Sequence, residues 1–494
     1  MASQPPSTHQ RFAKDVIIVS LATGLAALSG IFTMPLLTRT LGATDYGIWT
    51  QAFATSYMVL LVVGLGLPIA MIRFLPAKTD KAAIRDDVYS VLCLSLLVTL
   101  VTSVLMVVFA EPIARSFFDG ATQIVRLTAL IILLSSPTSI SLTFFRAFSH
   151  MKTYSLFVLI DAFCQVGIVA YLSLNGYGLV TMFVGLVALK ALLLVCSLGY
   201  AARHIGAARP RFLRTKDYLR FALPLMPSNL SWWIVSSSDR YVIAAYLGLD
   251  SVGIYSVAYG IGNIIALIVI VLGLVLTPTL SRLYDEGKME ELSTQISYSL
   301  KYFLMIAIPF VVGAAVIARP LLTLFSTPTM ASQGLLVLPM IALSILLLGA
   351  YSIVGQVLLL TKRTTLAGAV WLAAAALNLG LNILLVPHLG INGSALSSVV
   401  VYVLVLAIIS YYSYREVSFP VDWRFVIKTV VASGFMALAV WLFSPQTRSQ
   451  TVAAVAVGVI VYVIGLLLLR AIRKDEISFF KGLLRRSDEQ GPGA

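Results

Sequence analysis

The sequence predicts an all-α polytopic membrane protein with fourteen transmembrane helices, and three observations carry that prediction. Of the 494 residues, 59% are hydrophobic and only 11% are charged, whereas a soluble domain has about 25% charged residues because its surface faces water. Apolar stretches of about 20 residues, the length that crosses a bilayer, recur along the whole chain. Lysines and arginines are concentrated in every second connecting segment, as membrane orientation requires. These observations exclude a soluble globular protein.

The fourteen predicted spans run from residue 16 to residue 469. The first, which follows Lys14, is too long for the apolar core of a signal peptide and has no obvious cleavage site, so we interpret it as a retained span. The ninth is short and contains Pro309. In order, the predicted spans are 16–37, 47–72, 88–110, 127–148, 154–174, 179–202, 222–247, 254–278, 302–318, 335–360, 367–386, 395–413, 427–444 and 451–469.

The positions of the basic residues predict which side of the membrane each segment faces. With the N-terminus in the cytoplasm, the cytoplasmic segments hold 28 of the 35 lysines and arginines, the outer segments hold five, and two lie inside spans. This asymmetry is the positive-inside pattern. We therefore expect a multi-pass protein of the cell (inner or plasma) membrane with both termini cytoplasmic. The net charge of +14 then reflects orientation and not nucleic-acid binding.

The sequence offers no pattern for a cofactor, a metal or a catalytic centre. The three cysteines lie in apolar runs, and the four histidines are scattered without the spacing of metal ligands. No glycine-rich loop ends in Lys-Ser or Lys-Thr, so the sequence does not predict direct use of ATP. We expect no cofactor and no enzymatic activity.

The chain contains an internal repeat. A shift of 206 residues aligns the starts of spans 2 and 8, and a shift of 215 residues relates Gly178 to Gly393. Equivalent positions in the two halves are six spans apart. Because six is an even number, both halves enter the membrane from the same side. We therefore expect the two halves to be related by an axis along the membrane normal. The matches at a shift of 206 are Leu41-Gly42 with Leu247-Gly248, Gly47-Ile48 with Gly253-Ile254, Trp49 with Tyr255 and Ala52 with Ala258.

The repeat divides the chain into three predicted parts. Residues 1–210 form an N-terminal six-helix lobe, and residues 211–425 form a C-terminal six-helix lobe. Residues 426–494 add two transmembrane helices and a cytoplasmic amphipathic tail. Within that tail, apolar residues between 477 and 484 flank basic ones, which favours a helix on the inner leaflet. A frayed tail is the alternative interpretation.

Two sequence segments resemble those of a known family. The first span runs into the segment Leu36-Leu37-Thr38-Arg39-Thr40-Leu41-Gly42-Ala43-Thr44-Asp45-Tyr46-Gly47. The seventh span carries Asp239-Arg240-Tyr241, followed by Leu247-Gly248 and Val252-Gly253-Ile254-Tyr255. Together they resemble the polysaccharide-transporter branch of the MATE-like MOP exporter superfamily, which includes O-antigen (Wzx-type) flippases. The resemblance implies six plus six plus two spans. It also implies that an undecaprenyl- or dolichyl-linked oligosaccharide is moved from the cytoplasmic to the outer leaflet, for polysaccharide, O-antigen or glycoprotein glycan biosynthesis.

Ionisable residues inside spans are the first candidates for the site, because each is costly in lipid and usually faces a cavity or a partner. Asp161 and Lys190 lie about 10 Å and about 18 Å from the inner ends of spans 5 and 6, at about 1.5 Å per residue. A four-residue turn joins these spans, so the lysine can reach the carboxylate. The pair is either a structural ion pair or part of a cavity that binds substrate through Lys190.

Span 7 carries two adjacent ionisable residues, Asp239 and Arg240. Adjacent helical residues point about 100° apart, so we expect each to find another partner. A guanidinium binds phosphate oxygens in a bidentate way, which makes Arg240 a candidate for a diphosphate group, with Arg39 as a second cation. The alternative is that Arg240 binds neighbouring carbonyls. Asp161 and Asp239 are candidate carboxylates for coupling to a proton or sodium gradient.

Aromatic residues form a repeated stripe in spans 2 and 8. The shift of 206 places Tyr57 on Asn263 and Phe53 on Tyr259. Aromatic rings with polar tips suit sugars, so Tyr57, Tyr259 and Asn263, deep in their spans, are predicted to bind substrate. Tyr46 and Trp49, near the span end, are predicted to belong to the interfacial aromatic belt.

Two other function classes compete with a flippase. A cation-coupled multidrug exporter of the same superfamily would use free carboxylates, whereas each deep carboxylate here has a basic residue close by. A membrane glycosyltransferase or polymerase would require a sizeable outer loop, and the longest outer segments, 111–126 and 319–334, have about sixteen residues. We therefore expect alternating access by a polar, cationic central cavity, with the lipid tail of the substrate left in the bilayer.

Overall fold

The computed structural model describes residues 8–206 and 208–471. This part of the chain contains α-helices and short 3₁₀ turns and no β-strand, which confirms the all-α fold. The amphipathic segment predicted between residues 477 and 484 lies outside the described residues.

Twenty-one α-helices follow one another along the described residues. The helices of the first half are α1 Thr8–Thr40, α2 Gly42–Val63, α3 Leu67–Phe74, α4 Lys81–Val108, α5 Ala110–Phe117, α6 Thr122–Ala147, α7 Met151–Leu174, α8 Leu179–Ile205 and α9 Thr215–Ala222. Those of the second half are α10 Met226–Leu247, α11 Leu249–Gly262, α12 Ala266–Asp285, α13 Met289–Val316, α14 Ala318–Phe325, α15 Pro328–Gln333, α16 Val337–Val354, α17 Gln356–Leu360, α18 Thr364–Leu389 and α19 Ile391–Glu416. The last two are α20 Trp423–Phe443 and α21 Arg448–Leu468, and 3₁₀ turns lie at Leu223–Leu225 and Asn263–Ile265.

Each predicted span corresponds to a helix or to a run of consecutive helices. Among the described residues, thirteen helical segments are long and apolar enough to cross a membrane, and Leu249–Asp285 counts as one of them. The seventh predicted span is α10, which is 22 residues long but carries five serines, Asp239 and Arg240. Because α10 packs between α2, α11, α18 and α19, its polar residues face other helices or the space between them.

The ninth span is much longer than its predicted range of 302–318. Helix α13 begins at Met289 and has 28 residues. Its first turn carries Glu290 and Glu291, whose charges stabilise a helix N-terminus. Apolar length alone missed this polar extension.

The two halves repeat the same packing. In the first half, α1 packs against α7, α4 packs against α6, and α6 packs against α8. The corresponding pairs in the second half are α10 with α18, α13 with α16, and α16 with α19. Helices α20 and α21 stand outside the repeat and pack against each other, with α20 also against α13. The described part of the chain is therefore two similar lobes with an added helix pair, although the boundaries at residues 210 and 425 stay predictions.

The lobes meet where α2 crosses α11. This crossing lies near the end of the bundle at which α1 ends and α2 begins, and we call that end the upper end. A Cβ atom at Gly47 would overlap the carbonyl oxygen of Leu249, and one at Gly253 would overlap that of Ala43. The hydroxyl of Thr44 donates to Asp250, and that of Ser256 donates to Thr50 over 3.1 Å.

Residues exactly one repeat apart therefore touch each other at this crossing, since Thr44 and Asp250, and Thr50 and Ser256, are each separated by 206 positions. Such self-matching contacts are those expected on a twofold axis. They support the repeat that the sequence predicts.

At the opposite, lower end, the linker between the lobes is bound to the first lobe. The backbone amide of Arg211 donates to Asp86 over 2.6 Å, and the hydroxyl of Tyr218 donates to Asp87 over 2.7 Å. Lys78 forms an ion pair with the same Asp87. Burial raises the pKa of Tyr218 to about 12, so this hydroxyl stays protonated and keeps donating at physiological pH. The linker as far as α9 is thus held against the first lobe by hydrogen bonds to Asp86 and Asp87.

Candidate functional site

A cavity of about 850 Å³ lies between the lobes, directly below the crossing of α2 and α11. It extends from Thr50, in the crossing, to Ser228 in the first turn of α10. Its volume is within the range of small-molecule sites in proteins. Helix α2 supplies the wall from the first lobe, and helices α10, α11, α12, α16, α18 and α19 supply the wall from the second lobe.

The two walls of the cavity differ in chemistry. The first-lobe wall consists of Trp49, Thr50, Phe53, Ala54 and Tyr57. The second-lobe wall adds serines, asparagines, further aromatic rings and one cation. Its polar and aromatic members are Ser228, Asn229, Trp232, Ser236, Ser237, Arg240, Tyr259, Asn263, Tyr351, Ser352, Trp371 and Tyr402. Among the described lining residues, Arg240 carries the only formal charge.

Four of the predicted site residues line this cavity: Arg240, Tyr57, Tyr259 and Asn263. Tyr57 is 47% exposed, and its ring lies 6.2 Å from that of Trp232, so one aromatic residue from each lobe meets across the cavity. Helix α2 presents Phe53 and Tyr57 on one face because they are four residues apart. The structure therefore brings the cation and the predicted aromatic residues together in one space.

Arg240 is bound on two sides. Its Nη1 atom lies 3.3 Å from Oδ1 of Asp239 and 3.4 Å from the carbonyl oxygen of Ser236. Its Cζ atom lies 4.6 Å from the centre of the Tyr259 ring, a cation–π distance. The expectation that Asp239 and Arg240 would not pair is wrong. The long arginine side chain folds back toward the preceding turn, which brings its guanidinium to the neighbouring carboxylate.

Asp239 lies behind Arg240, away from the cavity. Its side chain is 1% exposed, and it is not among the lining residues. Oδ1 accepts from the backbone amide of Arg240 over 2.8 Å, and Oδ2 accepts from the hydroxyl of Tyr255 over 2.5 Å. Both carboxylate oxygens thus have donors, and the carboxylate faces the guanidinium.

The predicted ion pair of Asp161 and Lys190 is present. The Nζ atom of Lys190 lies 2.7 Å and 2.8 Å from the two carboxylate oxygens of Asp161, joining α7 to α8. Neither residue lines the cavity between the lobes. The Asp161 side chain is 37% exposed, in contrast to the sealed Asp239. The roles predicted for these residues, in substrate binding and in ion coupling, stay predictions.

Arg39 lies at the upper end of α1 and does not meet Arg240 in a common site. Its Nη2 atom donates to the carbonyl oxygens of Thr323 and Leu324, over 3.3 Å and 2.5 Å. The hydroxyl of the preceding Thr38 donates to Phe325 over 3.1 Å. These bonds join the first lobe to the end of α14 in the second lobe, so Arg39 contributes to the contacts that close the upper end.

Several cavity residues escaped prediction. Trp232, Tyr351, Trp371 and Tyr402 line the cavity, and the indole of Trp371 donates to the hydroxyl of Tyr351 over 2.6 Å. The dipeptide Trp232-Trp233 within a serine-rich span was the one sequence signal available. These rings enlarge the aromatic surface well beyond the predicted stripe.

The interfacial-belt prediction for Tyr46 and Trp49 is wrong. Both side chains are buried, at 6% and 5% exposure, and the Trp49 ring lies 4.8 Å from that of Phe53. Their helix packs against α10 and α11 at this level, so the span end is covered by protein and not by lipid headgroups.

A second, apolar cleft of about 620 Å³ lies between the added helix pair and the second lobe. Pro309 and Phe310 of α13, Met436 of α20, and Gly458 and Tyr462 of α21 belong to its lining. Tyr462 donates its hydroxyl to the carbonyl oxygen of Met305, which leaves an almost wholly apolar surface. Such a surface fits hydrocarbon.

Comparison with known proteins gives two family matches. Residues 12–284 match the model described as polysaccharide biosynthesis protein, and residues 224–384 match the MatE model. The chain is 25% identical over 303 residues to the succinoglycan biosynthesis transport protein of Rhizobium meliloti. The aligned region covers 60% of this chain and 58% of that protein. It is 23% identical over 300 residues to the probable low-salt glycan biosynthesis flippase of Haloferax volcanii, with 59% and 62% covered. The chain thus spans less than two thirds of the length of these relatives.

Among solved structures, the lipid II flippase MurJ in an inward closed conformation has a similar fold. The TM-score is 0.77 at 18% identity, covering 92% of this chain and 99% of that one. This likeness supports the two-lobed arrangement with an added helix pair. Since the polysaccharide biosynthesis model matches more than half of the 494 residues, the chain belongs to the polysaccharide biosynthesis protein family, within the superfamily that also contains the MATE exporters.

Proposed function

We propose that this protein is a transporter that flips a polyprenyl-diphosphate-linked oligosaccharide from the cytoplasmic to the outer leaflet by alternating access. The product would serve polysaccharide, O-antigen or glycoprotein glycan biosynthesis. One observation carries the proposal: Arg240, the one arginine among the described lining residues, projects into a cavity between two lobes whose walls are aromatic and hydroxylated. The names of the relatives, a succinoglycan transport protein and a glycan flippase, agree with it.

The cavity suits the two polar parts of such a substrate. A guanidinium offers paired N–H donors that match the oxygens of a diphosphate, and a partly dehydrated site strengthens this contact. Sugar rings have apolar C–H faces and hydroxyl edges, which fit aromatic rings such as Tyr57 and Trp232 and polar groups such as Asn263. The polyprenyl tail needs an apolar surface, and either the bilayer or the cleft beside α20 and α21 offers one.

In the proposed orientation the lower end faces the cytoplasm and the molecule lies in the inner or plasma membrane, with both termini cytoplasmic. The contacts at the upper end, from the α2–α11 crossing to Arg39, then close the outer side. Release of the headgroup would require the lobes to part at these contacts and to close at the lower end. A proton or sodium gradient is the proposed energy source, and Asp161, whose ion pair with Lys190 is partly exposed, is a coupling candidate.

Arg240 provides the test. Arg240→Ala is expected to abolish surface glycan in a strain that lacks the native gene, and Arg240→Lys to restore it only partly, because an ammonium cannot form the bidentate contact. Surface glycan is measured by lectin staining, and the amount of protein in the membrane by blotting. Normal glycan with Arg240→Ala at normal abundance would contradict the proposal. Loss of the protein itself would assign Arg240 to folding.

A second candidate, a cation-coupled multidrug exporter, is favoured by the MatE match over residues 224–384. Such a site for cationic drugs needs a carboxylate in the cavity, whereas the described lining has a cation and Asp239 sits behind it. Resistance of the host to cationic dyes that depends on this gene, with unchanged surface glycan, would support the exporter. An enzymatic function, such as a membrane glycosyltransferase, has no catalytic constellation among the described residues to support it.

A further inference from the structure

We propose that Asp239, together with Tyr255, is a positioning element that aims Arg240 at the diphosphate, and that Asp239 does not carry the coupling ion. The inference rests on the proposed function, and it assigns a role to a buried carboxylate that does not touch the cavity. It replaces the coupling role that the sequence suggests for this residue.

Burial separates the two neighbours. The Asp239 side chain is 1% exposed and that of Arg240 is 11% exposed, and only Arg240 lines the cavity. A coupling carboxylate must exchange its proton or sodium ion with water during each cycle. Asp239 has no such access in this conformation, because Arg240 and Tyr255 cover it.

The groups around Asp239 present their positive ends to it. Its oxygens accept from the backbone amide of Arg240 (2.8 Å), from the guanidinium of Arg240 (3.3 Å) and from the hydroxyl of Tyr255 (2.5 Å). A sodium ion is bound by oxygen lone pairs, and here donors already fill that space. The carboxylate also supplies the counter-charge of the guanidinium of Arg240, 3.3 Å away.

The same contacts fix the direction of Arg240. The carboxylate holds Nη1, and the Tyr259 ring covers the guanidinium, with its centre 4.6 Å from Cζ. No other side chain or carbonyl among the described residues accepts a hydrogen bond from Nε or Nη2. Those donors are therefore available to an anion in the cavity. The contacts with Asp239 and Tyr259 keep the arginine side chain from turning out of the cavity. Preorganised donors of this kind bind charge more strongly than mobile ones.

The test uses the full-length protein in lipid nanodiscs, with farnesyl diphosphate as the probe and farnesol as its uncharged control. Trp49, Trp232 and Trp371 line the cavity, so quenching of intrinsic tryptophan fluorescence reports binding. The variants are Asp239→Asn, Tyr255→Phe and Arg240→Ala, and Asp119→Asn, an exposed carboxylate in the loop after α5 that does not line the cavity, is the matched control. A second measurement follows the movement of a fluorescent polyprenyl diphosphate between the leaflets of proteoliposomes. It is made without a gradient, with a pH gradient and, separately, with a sodium gradient.

We expect Asp239→Asn to weaken farnesyl diphosphate binding by about tenfold or more and Tyr255→Phe by about threefold, with farnesol binding unchanged. The ratio of transport with a gradient to transport without one should stay as in the unmodified protein. Unchanged diphosphate affinity in both variants, or loss of the gradient effect in Asp239→Asn, would overturn the inference. If Asp239→Asn does not fold, Tyr255→Phe alone decides.

The proposed function fails separately from the inference. If the unmodified protein binds farnesyl diphosphate no better than farnesol, the diphosphate site itself is wrong. If it prefers the diphosphate and Arg240→Ala loses that preference while Asp239→Asn and Tyr255→Phe keep it, the site stands and the positioning role is wrong.

Discussion

Arg240 and Arg39 have different surroundings, although the sequence assigns both to one diphosphate site. Arg240 faces a cavity, with a carboxylate and a ring behind its guanidinium. Arg39 binds the carbonyl oxygens at the end of α14. A guanidinium that already donates to carbonyls at a lobe contact acts on closure of the upper end, whereas one with unused donors in a cavity acts on the ligand.

This difference predicts distinct effects of two alanine substitutions. Arg39→Ala is expected to change the affinity for farnesyl diphosphate by less than about twofold, and Arg240→Ala to weaken it by at least about tenfold, since hydrogen bonds to charged groups contribute about 1.5–3 kcal/mol. Tryptophan quenching in nanodiscs measures both. Equal losses in the two variants would favour a shared site, as the sequence alone suggests.

The part of the site that the sequence predicts is the part that helical spacing determines. The repeat aligns the aromatic stripe of span 2 with that of span 8, and this alignment predicted Tyr57, Tyr259 and Asn263. Arg240 was predicted because a charged residue inside a span is rare. Trp232 and Tyr402 were missed because an aromatic residue in an apolar span has the same pattern whether it faces lipid, another helix or a cavity. Which of these it faces is decided by how the lobes pack.

At the scale of helices, the crossing of α2 and α11 determines how closely the lobes approach at the upper end. Glycine is needed on both helices there, because a Cβ at Gly47 or Gly253 would overlap a backbone carbonyl of the other helix. Backbone carbonyls cannot rotate away as a flexible side chain can. Any larger residue therefore separates the helices.

Gly47→Ala is accordingly expected to shift the protein toward an open upper end. Overpacking costs about 1–3 kcal/mol, so the closed state should be disfavoured by about fivefold or more. A cysteine at Ser352, which lines the cavity from α16, is introduced into a protein without Cys93, Cys164 and Cys196. A membrane-impermeant maleimide applied to whole cells should label it at least about fivefold faster in the Gly47→Ala protein.

Gly30→Ala is the matched control, since a Cβ at Gly30 in the neighbouring α1 would meet no atom within 4 Å. This variant should be labelled at the rate of the parent. If Gly47→Ala reacts no faster than Gly30→Ala, the crossing does not control access from the upper end.

Apolar length predicted the spans well and the other features of the helices poorly. The position of each span followed from the apolar runs, but the polar first turns of α13 and the short helices α5 and α14 did not. Helix α10 shows the opposite case: it is predicted as a span although its serines and charges lower its hydropathy. Its surroundings of four other helices explain why so polar a segment can be accommodated.

For the molecule as a whole, the charge distribution along the chain sets the proposed orientation, and the fold makes it testable at two exposed positions. Gln446 lies in the upper-end loop between α20 and α21, and Thr365 lies in the first turn of α18 at the lower end. Both side chains are exposed and uncharged. They can therefore be exchanged with little effect on packing.

In the background without native cysteines, Gln446→Cys should react with an impermeant maleimide applied to whole cells, and Thr365→Cys should react only after the cells are permeabilised. The physical reason is the positive-inside rule, which keeps the lysine- and arginine-rich segments in the cytoplasm. Labelling of Thr365→Cys in intact cells, with none at Gln446→Cys, would invert the proposed orientation.

Residues that touch their own counterparts across a twofold axis are typical of an isologous homodimer, in which the same patch serves both subunits. The contacts of Thr44 with Asp250 and of Thr50 with Ser256 have this character within one chain. An ancestor of half the length would have bound a second copy of itself through this face, and fusion of two copies would give the present molecule. At the axis, Gly47 and Gly253 then limit which residues can replace each other, because each lies against the backbone of the other helix. Positions remote from the axis can diverge independently. Such divergence would account for a first-lobe wall of mainly aromatic rings opposite a second-lobe wall that adds serines, asparagines and the arginine.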